Sequence, residues 1–228
     1  MKQGFTLAEV LITLGIIGVV AALTLPSIVA HQRKVEYSSR LKKFYSMMEQ
    51  AIRMSEEDNG EILSWTRSGE TQMDDEGKTD FDANGKVSKD FFSTYFLPYF
   101  KYTKFEDGKN VILEDGAKSG QNPKVYLPDG STISLWNGSC MDITYDVNGD
   151  SMPNVSGRDR YTFLFCFDSS ERNGHCRSAN VAFCTYDTIT VPASRERILS
   201  LCKNNPAYCS KLLQYDGWEF KKDYPHRL

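Results

Sequence analysis

Apolar and polar positions follow one another along this chain in three rhythms, and each predicts a different element. From Phe5 to Leu25 the residues are apolar on every side, with Leu7, Val10, Leu11, Ile12, Leu14, Ile16, Ile17, Val19, Val20 and Leu23 broken by a single ionisable side chain, Glu9. A helix needs about 20 apolar residues to cross a bilayer core, and this run is long enough. Beyond Pro26, Tyr37, Leu41, Phe44, Tyr45, Met48, Ala51 and Ile52 recur three and four apart, while Arg40, Lys42, Lys43, Glu49 and Arg53 take other faces. That spacing predicts an amphipathic helix. Joined end to end, the two stretches make one helix of about 50 residues, roughly 75 Å long at 1.5 Å per residue. Its end is expected near Asp58-Asn59-Gly60, and Gly15, Gly18 and Pro26 are points where it can kink or pack closely.

Residues 56–90 are rich in acids and glycines and predict a solvated loop, with a short strand around Ile62–Trp65. The spacing of Phe92, Tyr95, Phe96 and Tyr99 suits a short helix after Ser88, ending near Pro98 and packing a core. From Lys124 the period becomes two. Val125 and Leu127, a turn at Asp129-Gly130, then Ile133 and Leu135 read as a β-hairpin, with further strands near Met141–Val147, Tyr161–Phe167 and Val181–Tyr186. Two short helices close the chain, Arg195–Cys202 behind a Ser194 cap and Tyr208–Gln214 behind Pro206. The expected fold is α+β: a long N-terminal helix, apolar in its first half, laid against an antiparallel β-sheet head.

Composition narrows the possibilities. The chain has 228 residues, a formal charge of −3 and, despite the apolar run, a mean hydropathy of −0.44, so the remainder of the chain must be distinctly polar. A net charge this small argues against a nucleic acid held by charge. There is no Gly-x-Ser-x-Gly elbow, Walker loop or His-Glu-x-x-His pair, and His31, His175 and His226 are far apart, so no enzyme is expected.

The segment Gly4-Phe5-Thr6-Leu7-Ala8-Glu9-Val10-Leu11 resembles the processing site of type IV pilins and of the pseudopilins of type II secretion. The resemblance implies that a prepilin peptidase cuts between Gly4 and Phe5, that the new Phe5 amine is methylated, and that Glu9 serves assembly. The residues bear on Glu9 independently. A carboxylate inside an apolar helix costs on the order of a few kcal/mol, which marks it as functional by default, whereas at the headgroup boundary, a turn past Phe5, it costs little. Its natural partner is a positive charge in the same layer, and the resemblance supplies the Phe5 amine of a neighbouring subunit. The divisions expected are a leader at 1–4, a transmembrane and assembly half at 5–30, an amphipathic half at 31–58 and a periplasmic head at 59–228.

Orientation sets two signals against each other. Only Lys2 precedes the apolar run, while Arg33, Lys34, Arg40, Lys42 and Lys43 follow it, which by charge alone would keep the head inside. Six cysteines, Cys140, Cys166, Cys176, Cys184, Cys202 and Cys209, all lie in the distal part and suit an oxidising compartment. With the resemblance, they favour a single-pass inner-membrane protein with its N terminus cytoplasmic and its head periplasmic, later transferred to a filament. Cys202 and Cys209 straddle the connection between the last two helices closely enough to staple it, and such a C-terminal bridge is frequent in pilins. Pairing of the other four stays open. Zinc is disfavoured, since there is no Cys-x-x-Cys pair and His175-Cys176 is a poor nucleus for a site.

Asp146, Asn148 and Asp150 alternate like the opening ligands of an EF-hand, but Gly149 is misplaced and Gly157 stands where the closing glutamate belongs. A different calcium site using Asp146, Asn148, Asp150 and Asp159 is one reading; a hydrogen-bonded loop with Asp159 capping backbone amides is the other. This stretch also resembles a recurrent Asp-x-Asn-Gly, Pro-Asn, Gly-Arg-Asp segment of pilin-like proteins, which implies a structural role. No other cofactor is expected. The resemblance implies a filament subunit of a type II secretion pseudopilus or type IV pilus, with further pilin-type subunits and an inner-membrane assembly platform as partners. The alternative is a minor tip pilin whose head binds a surface, a secreted substrate or, in a DNA-uptake filament, DNA.

Overall fold

The computed structural model describes residues 6–67, 72–112, 118–166, 175–176, 182–189 and 193–228. Helix α1 runs from Leu7 to Asn59, 53 residues, and its helical hydrogen bonding continues past Gly15, Gly18 and Pro26. Both glycines are open on its surface, since a Cβ on either would meet nothing within 4 Å. At the far end Gly60 adopts φ 80°, a left-handed conformation that glycine takes without steric cost, and the helix stops where its sequence predicts. Buried positions on α1 begin only at Tyr37 and continue through Leu41, Phe44, Met48, Ala51, Ile52 and Ser55.

That stripe lies on a sheet. Among the described residues, β1 (Lys104–Ile112), β2 (Lys118–Tyr126), β3 (Thr132–Asn137), β4 (Met141–Asp146), β5 (Arg160–Phe165) and β6 (Phe183–Thr185) pair in sequence order, each antiparallel to the next. The register brings Val125, Ile133, Tyr145 and Tyr161 into one row across four strands, and Leu135, Ile143 and Phe163 into the row beside it. All are buried, because alternate residues of a strand share a face. Phe44 of α1 stacks on Tyr145 with ring centroids 4.1 Å apart and 9° between planes, and meets Phe163 at 4.8 Å. The α+β arrangement expected from the pattern is the one observed.

Helix α2 (Phe81–Tyr95) corrects the loop expected over residues 56–90 and starts well before Ser88. Asp80 caps it by accepting from the Ala83 amide at 2.9 Å. Two of its inward positions are polar, Asn84 and Ser88, and they disguise the helical stripe that continues through Val87, Phe91, Phe92 and Tyr95. Asn84 is buried at no polar cost, as its Nδ2 donates to the carbonyls of Gln72 and Asp80 and its Oδ1 accepts from Gln72 N and Asn137 Nδ2. The strand expected at Ile62–Trp65 is instead a 3-10 turn, Ile62–Ser64. Among the described residues no strand pairs with this segment, and the turn delivers Trp65 onto Tyr95, with centroids 4.4 Å apart. Strand β1 has no counterpart in the pattern: Lys-Phe-Glu-Asp-Gly-Lys-Asn-Val-Ile lacks clean alternation, and its pairing with β2 is interrupted by two register shifts.

At the C terminus, α3 (Arg195–Asn204) begins at the Ser194 cap, and α4 (Cys209–Tyr215) follows a 3-10 turn at Pro206–Tyr208. Arg195 fastens the tail by gripping Asp216 (2.6 Å) and Asp223 (2.7 Å) together.

Replacing Phe44 by Ala removes the ring at the centre of the stalk–sheet contact and is expected to cost about 3–5 kcal/mol. Ser46→Ala, on the exposed side of the same turn, should stay within about 0.5 kcal/mol. Urea unfolding of the full chain in detergent distinguishes them.

Candidate functional site

The most unusual surface of this molecule is the first half of α1. Its most apolar 18-residue window has a mean hydropathy of 2.3 and none of it is buried. Polar groups inside this stretch are satisfied within the helix. Thr13 Oγ1 donates to the carbonyl of Glu9, Thr24 Oγ1 to that of Val20 and Ser27 Oγ to that of Thr24, at 2.9, 2.9 and 2.8 Å. Such back-bonding leaves no hydroxyl seeking a partner in lipid. Pro26 has no amide, so the Ala22 carbonyl one turn earlier receives no bond from it.

Glu9 stands at the start of this surface. Its Oε2 accepts from the backbone N–H and the hydroxyl of Thr6, both at 2.8 Å, while Thr6 Oγ1 accepts from the Glu9 amide at 3.3 Å. This is a complete capping box, closing the N terminus of α1. Its signal, threonine followed three residues later by glutamate ahead of an apolar run, is plain in the sequence, and weighing only the cost of the charge misses it. The carboxylate therefore stays at the helix mouth, with Oε2 engaged by Thr6. Gly4 and Phe5 lie outside the described residues.

A second constellation holds the stalk to the head where α1 first becomes buried. Arg40 donates to the Val147 carbonyl at 2.7 Å and pairs with Glu36 at 2.7 Å. Val147 opens the loop 147–159 between β4 and β5. Asp159 closes this loop, accepting from the amides of Asn154 (2.8 Å) and Val155 (2.6 Å), which is the backbone-capping role anticipated for it. Turned with its amide nitrogen inward, Asn154 donates towards the carbonyls of Gly149 and Ser151 and Asp146 Oδ2 at 3.0, 3.2 and 3.0 Å. Two glycines let other segments close on the loop. A Cβ on Gly149 would lie 2.3 Å from the Gly130 carbonyl oxygen, and one on Gly157 would lie 2.7 Å from the His226 ring. The β2–β3 turn and the C-terminal tail thus lock it from two sides.

Comparison with known proteins bears on both constellations. Residues 27–228 match the model of a family of unknown function (DUF6613), and residues 1–25 match the prokaryotic N-terminal methylation motif. The chain belongs to the DUF6613 family. Its first 25 residues carry the signature of type IV pilins and pseudopilins. No curated protein and no solved structure matches it. In this DUF6613 chain the methylation motif therefore contains the Thr6–Glu9 capping box, and the family region contains the whole head.

The four residues weighed for calcium have separate engagements. Asp146 pairs with Arg160 at 2.9 Å, Asn148 Nδ2 donates to the carbonyls of Ser151 and Met152, and Asp150 accepts from Lys124 and, at 2.9 Å, from Tyr126. Among the described residues, these aspartates do not gather into a metal-sized group of ligands. The group that does gather is Cys202, Cys209 and His226, with ligand atoms within 4.8 Å of one another, but both sulfurs are spent in a disulfide and are not thiolates. His226 Nε2 lies 3.1 Å from the Cys202 carbonyl. The bridge expected between Cys202 and Cys209 is present, and the pairs left open are Cys140–Cys166 and Cys176–Cys184. Those two bridges pack with Leu164 and Tyr186 on the face of the sheet away from α1. Asp142 projects on that face between Trp136 and Leu164, and burial pushes its carboxyl up to about 7. Asp146 rises to about 6, burial outweighing the Arg160 guanidinium beside it.

Gly149→Ala is expected to lower the melting temperature, because it adds a left-handed alanine, about 1–3 kcal/mol in itself, to a backbone clash. A carboxyl whose folded value lies above its ordinary 3.8 stabilises the fold below that ordinary value and loses the contribution as pH rises through about 7. Melting temperatures followed from acid to neutral pH should therefore decline more steeply in the native chain than in Asp142→Asn, with a residual slope from Asp146.

Proposed function

We propose that this chain is a structural subunit of a type II secretion pseudopilus or type IV pilus, inserted in the inner membrane with its head in the periplasm. It is cut after Gly4, methylated on Phe5 and polymerised through α1. The observation that carries this reading is the combination, in one helix, of the methylation motif with an apolar half that the head leaves uncovered. A surface this apolar is stable only in a bilayer or against other apolar helices, and a filament core of like helices is the second of these.

Cleavage would give Glu9 its role. While the subunit is single, the capping box answers the carboxylate locally. The freed Phe5 amine of a neighbour brings a full positive charge to the same layer, and in a low dielectric such a charge-assisted contact is about twice as strong as a neutral hydrogen bond. The three disulfides suit an oxidising periplasm, which is the topology opposite to the one the flanking lysines and arginines alone would suggest. A structural subunit needs a rigid head more than a reactive cleft, and a loop locked by Gly149, Gly157 and Asp159 supports that role.

Glu9→Ala is expected to leave cleavage intact and remove the subunit from sheared filaments. Mass spectrometry of the mature native chain should find N-methylphenylalanine at its start. Normal filaments from the Glu9 variant, or a mature chain still beginning at Met1, would refute the reading.

A further inference from the structure

Above the membrane-length segment, the side of α1 turned away from the sheet bears a pattern of charges that do not close into ion pairs along the helix. With Tyr37, Leu41, Phe44, Met48 and Ser55 facing the core, the opposite stripe at helical spacing is Val35, Ser39, Lys42, Ser46, Arg53 and Glu57, with Glu49 on its flank. Lys42, Arg53 and Glu57 are exposed and Glu49 is half-buried. Glu49, Arg53 and Glu57 alternate in sign at intervals of four residues, a spacing at which ion pairs normally close along one helix. Glu36 and Arg40 do so at 2.7 Å, and Lys86 and Asp90 at 3.2 Å. Yet among the described residues no such pair forms between Glu49, Arg53 and Glu57, and Lys42 forms none with any of them. Small residues, Ser39 and Ser46, intervene and would let another helix come close.

We propose that this row is the docking surface for the α1 helix of a second copy of this chain, and that its charges select the axial stagger between copies. The inference rests on the filament reading above and deepens it. A copy raised by four residues, about 6 Å at the helical rise, sets its Glu49 level with Arg53 and its Arg53 level with Glu57 of the first. Raised by seven residues, about 10.5 Å, its Lys42 comes level with Glu49, but its Glu49 then faces Glu56. With no stagger, every charge meets its own kind, and at eight residues, about 12 Å, Glu49 faces Glu57. The row therefore favours an offset of about one turn and disfavours both zero stagger and two turns. The Phe5–Glu9 contact demands an offset in the same range, because those two residues are also four apart. Charges at the two ends of α1 would thus enforce one register, the lower pair in the apolar layer and the upper row in water, where salt screens it.

The test uses the full chain in its native host, measuring pelleted filaments after shearing, with subunit level and cleavage as folding controls. Glu49→Arg places like charges together at the favoured stagger, and filament yield should fall by roughly threefold to fivefold. Inverting the whole row, Lys42→Glu with Glu49→Arg, Arg53→Glu and Glu57→Arg, restores every complementary contact and should return yield to within about twofold of the native chain. Wild-type yield from Glu49→Arg, or no recovery on inversion at normal subunit levels, would overturn the proposal. Glu9→Ala in the same assay keeps the two ideas apart: normal filaments from that variant would sink the filament reading itself, while its failure beside a normal Glu49→Arg would sink only the row.

Discussion

One helix, buried along a stripe at one end and bare at the other, sets the terms for the whole molecule. The stripe from Tyr37 to Ser55 provides the ridge on which the sheet is laid, and the Phe44–Tyr145 stack sits at its centre. Burying each large apolar side chain there contributes roughly 1.5–3 kcal/mol, so these few residues tie the head to the stalk. The residues before Tyr37 contribute nothing to that core. Because both halves share one continuous backbone, the head is carried on a rod whose other end is apolar and uncovered.

The head itself is secured at its periphery by small covalent and steric devices. Three disulfides lie in the distal part, two on the sheet face away from α1 and one joining the last two helices. Closing such loops stabilises a domain chiefly by restricting its unfolded chain, about 2–4 kcal/mol for a typical bridge. The loop between β4 and β5 is immobilised differently. Arg40 takes hold of it from the stalk, Asp159 caps its amides, and Gly149 and Gly157 admit the β2–β3 turn and the C-terminal tail to distances no side chain would tolerate. The stalk, the β2–β3 turn and the C-terminal tail therefore meet at this loop. Its acids, which in isolation suggest a cation, are divided among Arg160, Lys124 and backbone amides.

Local patterns in the chain foretell the features that depend on neighbours along the backbone. The two rhythms of α1, its stop at Gly60, the hairpin at Asp129-Gly130, the Ser194 cap and the methylation motif all concern residues a few positions apart, where sequence spacing and spatial proximity coincide. Helix α2 is hidden in the pattern because Asn84 and Ser88 occupy core positions, and a polar residue such as Asn84 is acceptable there only when a distant partner, Asn137, completes its hydrogen bonds. Strand β1, poor in alternation, exists because β2 offers it an edge.

Periodicity and a single motif are enough to specify the stalk, its apolar half and the Thr6–Glu9 capping box, since each of these is written within a few turns of one helix. Which cysteines pair, which glycines are obligatory and where the acids point are settled instead by contacts between segments far apart in the chain. The same holds for the locking of the β4–β5 loop. These emerge only when the elements pack, because burial belongs to the assembled fold and to no stretch of it alone.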